Sequence, residues 1–105
     1  MRRTLQSHLV LAAVLSLANV ASFAQSSGQA TYKAKCQTCH GASGTPSPGM
    51  AKMMSIKPAS DPAIKNLTAE QMFTAVKNGK GKMKPVAGLT DAQIKDVVAF
   101  YRGLN

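Results

Sequence analysis

The amino-acid sequence predicts an all-α fold, and three features of the chain carry that prediction. Two capping boxes, Thr68 with Gln71 and Thr90 with Gln93, mark the starts of two helices. Each box precedes a stretch in which apolar residues recur at helical spacing. No stretch of useful length alternates apolar and polar residues, which is the pattern of a half-buried strand. We therefore expect short helices joined by loops, without a sheet.

The first 24 residues have the features of a cleaved secretory signal peptide. Arg2 and Arg3 give a positive start, residues 9–20 form an apolar run, and the segment ends in small residues up to Ala24. The run is shorter than the ~20 residues that a membrane-spanning helix needs, although an uncleaved signal anchor is the alternative. We predict a signal peptide at 1–24 and one domain at 25–105, exported to the periplasm with no stable membrane span.

The mature chain is strongly basic. The 105 residues have a formal net charge of +9, and the loss of Arg2 and Arg3 with the signal leaves +7. Such a balance suits nucleic acid, an anionic membrane or an acidic protein. Export and the lack of a recognisable nucleic-acid module argue against nucleic acid, so we expect an acidic protein partner.

A helix is expected directly before the two cysteines of the chain. Residues 28–35 are its predicted span, and one face carries residues at intervals of four: Gly28, Tyr32, Cys36 and His40. Turn signals then fill residues 41–60, which we expect to form a loop. Asp61-Pro62 pairs a favourable N-cap with proline at the first helical position, and predicts a brief helix through Ile64.

Each of the two longer helices begins at a capping box. The first is expected at 69–77, and ends at Asn78-Gly79 because left-handed backbone is tolerated there. The second is expected at 91–104, with an apolar stripe that comprises Ile94, Val97, Val98, Phe100, Tyr101 and Leu104. Between the two helices lies a lysine-rich loop at 79–88, and Met83 is its apolar landmark.

The stretch Cys36-Gln37-Thr38-Cys39-His40 has the spacing of covalent c-type haem attachment. Thiols at i and i+3 on one helical turn reach the vinyl-derived carbons on one edge of a porphyrin, and the next residue projects its imidazole towards the iron. We therefore predict one covalently attached haem c, bound through Cys36 and Cys39, with His40 as an axial ligand.

Two other uses of these residues, a zinc site and a redox-active disulfide, fit the sequence less well than haem. A closed zinc site takes four Cys or His ligands, but the mature chain has only Cys36, Cys39 and His40, because His8 leaves with the signal. A redox-active Cys-x-x-Cys disulfide usually accompanies a βαβ pattern, which this sequence lacks. Haem attachment explains the motif better than either alternative.

The residues of the mature chain also limit which side chain can be the second axial ligand of the iron. Because His40 is the only mature histidine, bis-histidine ligation within the chain is excluded, which leaves Met, Lys, an amine or an open site. Met72 is explained as a core residue of its helix. Three further methionines follow the attachment motif, and we expect them to line a pocket, with one or two of them in the loop: Met50, Met53 and Met54. Met83 lies alone in its glycine-bounded loop, and we predict it as the distal ligand, with an ordinary surface methionine as the alternative.

Together these motifs resemble those of a small bacterial class I cytochrome c with one haem and His/Met ligation. The resemblance covers essentially all of the mature chain, and the segments that carry it are Gly28-x-x-x-Tyr32, Cys36 to Gly41, Asn78 to Met83, Leu89 to Ile94 and Val97 to Phe100. It implies three to five short helices wrapped around one haem. It also implies that Gly28 and Tyr32 meet the last helix near Phe100, with His40 proximal and Met83 distal.

The resemblance has two consequences for the surroundings of the iron. Members of this family commonly place a proline carbonyl against the N–H of the proximal imidazole, and either Pro46 or Pro48 can fill that role. They also commonly have proline directly after the ligand methionine, whereas Lys84 intervenes here before Pro85.

An iron with both axial positions filled has no vacant site for a substrate. We therefore expect no enzymatic activity but a monomeric carrier that shuttles single electrons between redox partner proteins. Four lysines near the predicted ligand would steer an acidic partner: Lys77, Lys80, Lys82 and Lys84. The alternatives are a dedicated haem subunit of a larger dehydrogenase or oxidase, and a haem protein that binds a small ligand at an open distal site.

Overall fold

The computed structural model describes residues 27–104, and these form six helices: α1 (27–35), α2 (Gln37–His40), α3 (Pro48–Met54), α4 (Pro62–Lys65), α5 (Ala69–Asn78) and α6 (Asp91–Arg102). Within this part of the chain there is no strand, only an isolated bridge between Lys80 and Met83. The all-α prediction is confirmed. The predicted signal peptide and its cleavage site lie outside the described residues.

The two longer helices begin where their capping boxes predict. The Thr68 hydroxyl accepts a hydrogen bond from the Gln71 N–H at 3.1 Å, and the Gln71 side chain accepts one from the Thr68 N–H at 2.9 Å. Thr90 and Gln93 repeat this reciprocal pair at the start of α6. Each pair satisfies two backbone donors that the first turn of a helix leaves without partners. The prediction for α6 was two residues too long, since the helix ends at Arg102.

The apolar faces of α5 and α6 pack against each other and form the main core of the described residues. The buried members of this α5–α6 cluster are Met72, Val76, Ile94 and Val98. Met72 is 8% exposed, which confirms its prediction as a core residue. Burial of a side chain of this size contributes about 1.5–3 kcal/mol, so the cluster holds the two helices together.

Helix α1 crosses α6 at very short range. A Cβ added to Gly28 would collide with the backbone carbonyl of Asp96 and lie 2.9 Å from the Cβ of Phe100. One turn later, the Tyr32 ring lies 5.3 Å from the ring of Phe100 and 6.1 Å from that of Tyr101, between ring centroids. These contacts confirm the helix crossing that the resemblance implied.

Residues 41–60 contain a helix, and the prediction of a loop throughout this segment was wrong. Helix α3 has Ser47 as its N-cap, and the Ser47 hydroxyl accepts a hydrogen bond from the Met50 N–H. Pro48 occupies the first helical position, where its missing N–H costs nothing. This is the start signal that correctly identified α4 at Asp61-Pro62, but the surrounding glycines and prolines obscured it at Ser47.

No helix among residues 27–104 is long and apolar enough to cross a membrane.

The crossing of α1 and α6 predicts different effects for two glycine substitutions. Gly28→Ala should destabilise the protein by about 1–3 kcal/mol, because the added methyl group has no space against the backbone of α6. Gly49→Ala is the matched control, since a Cβ there meets nothing within 4 Å and alanine favours the helix by up to about 1 kcal/mol. Denaturant unfolding of both variants measures the difference. Equal effects on the free energy of unfolding would contradict the close crossing.

Candidate functional site

The three residues of the predicted attachment motif lie on one helical turn. Helix α1 leads directly into this turn, because the Cys36 N–H donates to the Tyr32 carbonyl at 2.9 Å. The N–H groups of Cys39 and His40 both donate to the Cys36 carbonyl, at 3.2 and 3.0 Å. Both cysteines are free and half-buried. Burial raises the pKa of the Cys36 thiol, and the neighbouring Cys39 adds to the shift.

The imidazole of His40 is half-buried. Burial lowers the pKa of His40, so the unprotonated ring with a free lone pair is favoured. The ring lies 5.5 Å from that of Tyr101, with an edge-to-face geometry. Its Nδ1 atom is buried and has no hydrogen-bond partner. The structure therefore forms neither of the proline contacts that the resemblance allowed, although Pro46 is buried and Pro48 is exposed at the start of α3.

Tyr32 links the crossing of α1 and α6 to the helical turn that contains Cys36, Cys39 and His40, which we call the attachment turn. Its hydroxyl donates to the carbonyl of Gly41, the residue after His40, at 2.6 Å. The side chain is 1% exposed, and burial together with the nearby Tyr101 raises the pKa of Tyr32 to about 12. Because the hydroxyl stays protonated at neutral pH, it remains a hydrogen-bond donor to the chain next to His40.

Met83 lies at the end of a tight turn in residues 79–88, which we call the ligand loop. Lys80 and Met83 exchange two backbone hydrogen bonds, each of 2.9 Å. At the start of the loop Gly79 has a φ of 80°, and a Cβ there would lie 2.8 Å from the Met83 carbonyl oxygen and 2.8 Å from the Cδ of Pro85. Only glycine fits this close, left-handed approach. The turn therefore fixes the backbone on both sides of Met83.

The side chain of Met83 is half-buried against the α5–α6 cluster. The loop is also attached to α5 by the Val86 N–H, which donates to the Val76 carbonyl at 2.9 Å. Tyr101 packs against the same cluster and touches the ring of His40. The two predicted iron ligands, which are 43 positions apart in the sequence, thus approach one core from different segments.

The other methionines of the predicted pocket lie on α3 and differ in exposure. Met53 is 63% exposed, the one exposed large hydrophobic side chain among residues 27–104. Met53 is thus one of the methionines expected outside the pocket lining, although it lies on α3 and not in a loop. Met50 and Met54 are half-buried on the same helix.

The predicted lysine cluster divides into two groups. Lys77 forms an ion pair with Asp91 at 2.9 Å and lies 5.6 Å from the ring centroid of Phe73, so its charge is engaged within the protein. Lys82 donates to the backbone carbonyl of Met53 at 3.1 Å, which leaves its positive charge uncompensated. Lys80 and Lys84 are exposed in the ligand loop.

The donor set fits a covalently bound haem better than a bare metal ion. No group of three or more His, Cys, Asp or Glu side chains in the described part of the chain is arranged to hold a metal. Two free thiols and an imidazole on one turn would supply two thioether attachments to haem and one nitrogen ligand to its iron. The buried Nδ1 of His40 has no hydrogen-bond partner, so no hydrogen bond at this nitrogen competes with a ligand role for the ring.

Comparison with known proteins agrees with this chemistry. A family model described as "Cytochrome C oxidase, cbb3-type, subunit III" matches residues 23–100. The chain belongs to this cytochrome c family. It is 35% identical to cytochrome c-555 of Chlorobaculum tepidum over 111 residues, which covers 98% of this chain and 97% of the relative. The solved structure of the KustC0563 c-type cytochrome is similar with a TM-score of 0.65 at 25% identity, covering 72% of this chain and 94% of that one.

Membership of the family establishes the cofactor and the broad role. The protein is a c-type cytochrome with covalently bound haem c, and Cys36, Cys39 and His40 match its Cys-x-x-Cys-His attachment motif. The fold is that of a small class I cytochrome c with one haem. Proteins of this kind carry electrons.

Sequence reasoning missed two contacts that support the site. The hydrogen bond from Tyr32 to Gly41 had a visible signal, since a hydroxyl buried on a helix face needs a partner. No signal in the sequence indicated the contact between Lys82 and the Met53 carbonyl, because the two residues are 29 positions apart and helix α3 was not predicted.

Proposed function

We propose that this protein is an exported, periplasmic carrier of single electrons, with haem attached to Cys36 and Cys39 and iron bound by His40 and Met83. The single observation that carries the proposal is the attachment turn, where two free thiols and a half-buried imidazole lie on one helical turn that is closed by the Cys39 and His40 N–H groups, both of which donate to the Cys36 carbonyl. The mature protein is the monomeric domain 25–105, released by cleavage after Ala24.

Haem supplies the one-electron couple, and the residues of this chain hold and tune it. His40 and Met83 would hold the iron of this haem, and with both residues bound to it no substrate would reach the metal. A thioether ligand favours the ferrous state and raises the potential, and the apolar cluster behind Met83 acts in the same direction by disfavouring the additional ferric charge. This arrangement supports electron transfer without catalysis.

The partners of the carrier are acidic redox proteins. The ligand loop carries three positive charges, on Lys80, Lys82 and Lys84. None of the three forms an ion pair with a carboxylate of the described residues. Charges of this kind raise the rate of encounter with a partner of opposite sign, and salt screens the effect.

A second candidate function is that of a dedicated haem subunit in a larger oxidase. The description of the matching family, which names a subunit of an oxidase, favours this alternative. The relative that is matched over 97% of its length is named simply as a cytochrome, which favours the free carrier. Co-purification of the tagged protein with an oxidase from native membranes would establish the subunit role.

Removal of Met83 tests the distal ligand. In oxidised Met83→Ala, the long-wavelength sulfur-to-iron charge-transfer band should disappear, and the reduced variant should bind carbon monoxide, because the sixth position is then open. Met53→Ala is the matched control, since its side chain is exposed and should leave both properties unchanged. Optical spectroscopy measures both. Retention of the band in Met83→Ala would transfer the assignment to another methionine.

Salt dependence tests the electrostatic role of the ligand loop. Oxidation of the reduced protein by ferricyanide, an anion that stands in for the acidic partner, should slow as ionic strength rises. The double variant Lys80→Gln, Lys84→Gln should lose about threefold or more of the low-salt rate, whereas Lys33→Gln, Lys95→Gln, which removes the same two charges from exposed positions outside the ligand loop, should lose less. Stopped-flow absorbance gives the rates. Equal losses in the two variants would show that net charge, and not the position of the lysines, governs the encounter.

A further inference from the structure

The ligand loop is attached at its base but has few contacts at its tip. At the base, the Val86 N–H binds the Val76 carbonyl, and Gly79 packs against the backbone of Met83. At the tip, Gly81 and Lys82 are exposed, and a Cβ added to Gly81 meets nothing within 4 Å. A segment of this kind opens at low free-energy cost unless another contact holds it.

Lys82 provides such a contact. Its Nζ atom donates to the backbone carbonyl of Met53 at 3.1 Å. Among the described residues this is the one hydrogen bond between the ligand loop and residues 41–60, the segment that follows the attachment motif. This hydrogen bond therefore connects the segment that follows His40 with the loop that carries Met83.

The acceptor is well suited to a cation. Helix α3 ends at Met54, so the Met53 carbonyl belongs to its last turn. The carbonyl groups of a last turn accept no hydrogen bond from an N–H group of their own helix. These groups carry the partial negative charge of the helix C-terminus, which favours an ammonium group. The Lys82 ammonium group thus lies where its charge is stabilised.

We propose that Lys82 is a positioning residue for the distal ligand. By holding the tip of the ligand loop on α3, it keeps Met83 at the haem iron and limits the opening through which an external ligand reaches the sixth position. The inference rests on the proposed function, since Met83 must be the ligand. Lys82 directly precedes Met83, and the bridge between Lys80 and Met83 makes the turn stiff enough to move as a unit.

The consequence is a change in the population of the open loop. An external ligand binds iron only when Met83 has left, so its apparent affinity is proportional to the open fraction. Because the hydrogen bond is charge-assisted but exposed to solvent, its loss should raise that fraction by about fivefold. Global stability should change much less, since the contact joins two surface segments.

Imidazole binding to the oxidised holoprotein tests the proposal. Titration at neutral pH, followed by loss of the sulfur-to-iron charge-transfer band, gives the apparent affinity for wild type and three variants. Lys82→Gln should bind imidazole about fivefold more tightly than wild type. Lys84→Gln is the matched control, because it removes the same charge from an exposed side chain in the same loop. Lys82→Arg retains a cationic donor and should restore most of the wild-type affinity.

The outcomes separate positioning from general effects. Equal affinity in Lys82→Gln and Lys84→Gln would overturn the proposal, because charge alone would then account for any change. Failure of Lys82→Arg to restore the affinity would also overturn it. An unfolding midpoint that falls in parallel with the affinity change would assign Lys82 a merely structural role. Failure of the proposed function is distinguishable, since the wild-type spectrum would then lack the charge-transfer band from the start.

Discussion

The close crossing of α1 and α6 is the contact on which the haem site depends. Gly28 allows the two backbones to approach, and Tyr32 then fills the space one turn later against two aromatic rings of α6. The Tyr32 hydroxyl connects this packed crossing to the attachment turn, because it donates a hydrogen bond to the Gly41 carbonyl. Such a bond contributes about 1 kcal/mol, and aromatic pairs contribute about 0.5–1.5 kcal/mol each. The position of His40 therefore depends on the packing of α1, which directly precedes the haem motif, against α6, which lies far from the motif in sequence.

The small core explains why a cofactor suits this fold. Among residues 27–104, seven hydrophobic side chains are buried, and one of them is the alanine Ala59. A domain of this size buries too little apolar surface to be very stable by itself. A covalently bound haem adds a large apolar surface, and the thioether bonds proposed at Cys36 and Cys39 would hold α2 to that surface. The cofactor that gives the protein its redox chemistry is thus also a structural element.

Local signals in the sequence predicted some elements well and others poorly. The capping boxes of α5 and α6 and the Asp61-Pro62 start of α4 require only neighbouring residues, and all three predictions were confirmed. Helix α3 was missed because Ser47-Pro48 lies among glycines and prolines that favour a loop. The resemblance predicted the crossing at Gly28, which periodicity alone could not locate.

The charges of the site show the limit of reasoning from sequence. Four lysines near Met83 look equivalent in the printed chain, but the structure gives Lys77 an acidic partner and Lys82 a backbone acceptor on α3. Both partners come from segments that only tertiary folding brings near. The attachment motif was predictable because its chemistry is contained in five consecutive residues. The contacts that position the motif and the charges that attract a partner were not predictable, because they depend on residues that are distant in sequence.

Mass spectrometry of the protein purified from the periplasm tests the central claim most directly. The account predicts a polypeptide that begins at Gln25 and carries the mass of one haem, which stays attached in acid and denaturant and is recovered on the proteolytic peptide that contains Cys36 to His40. A polypeptide without porphyrin, or one whose haem is extracted by acid, would contradict the account.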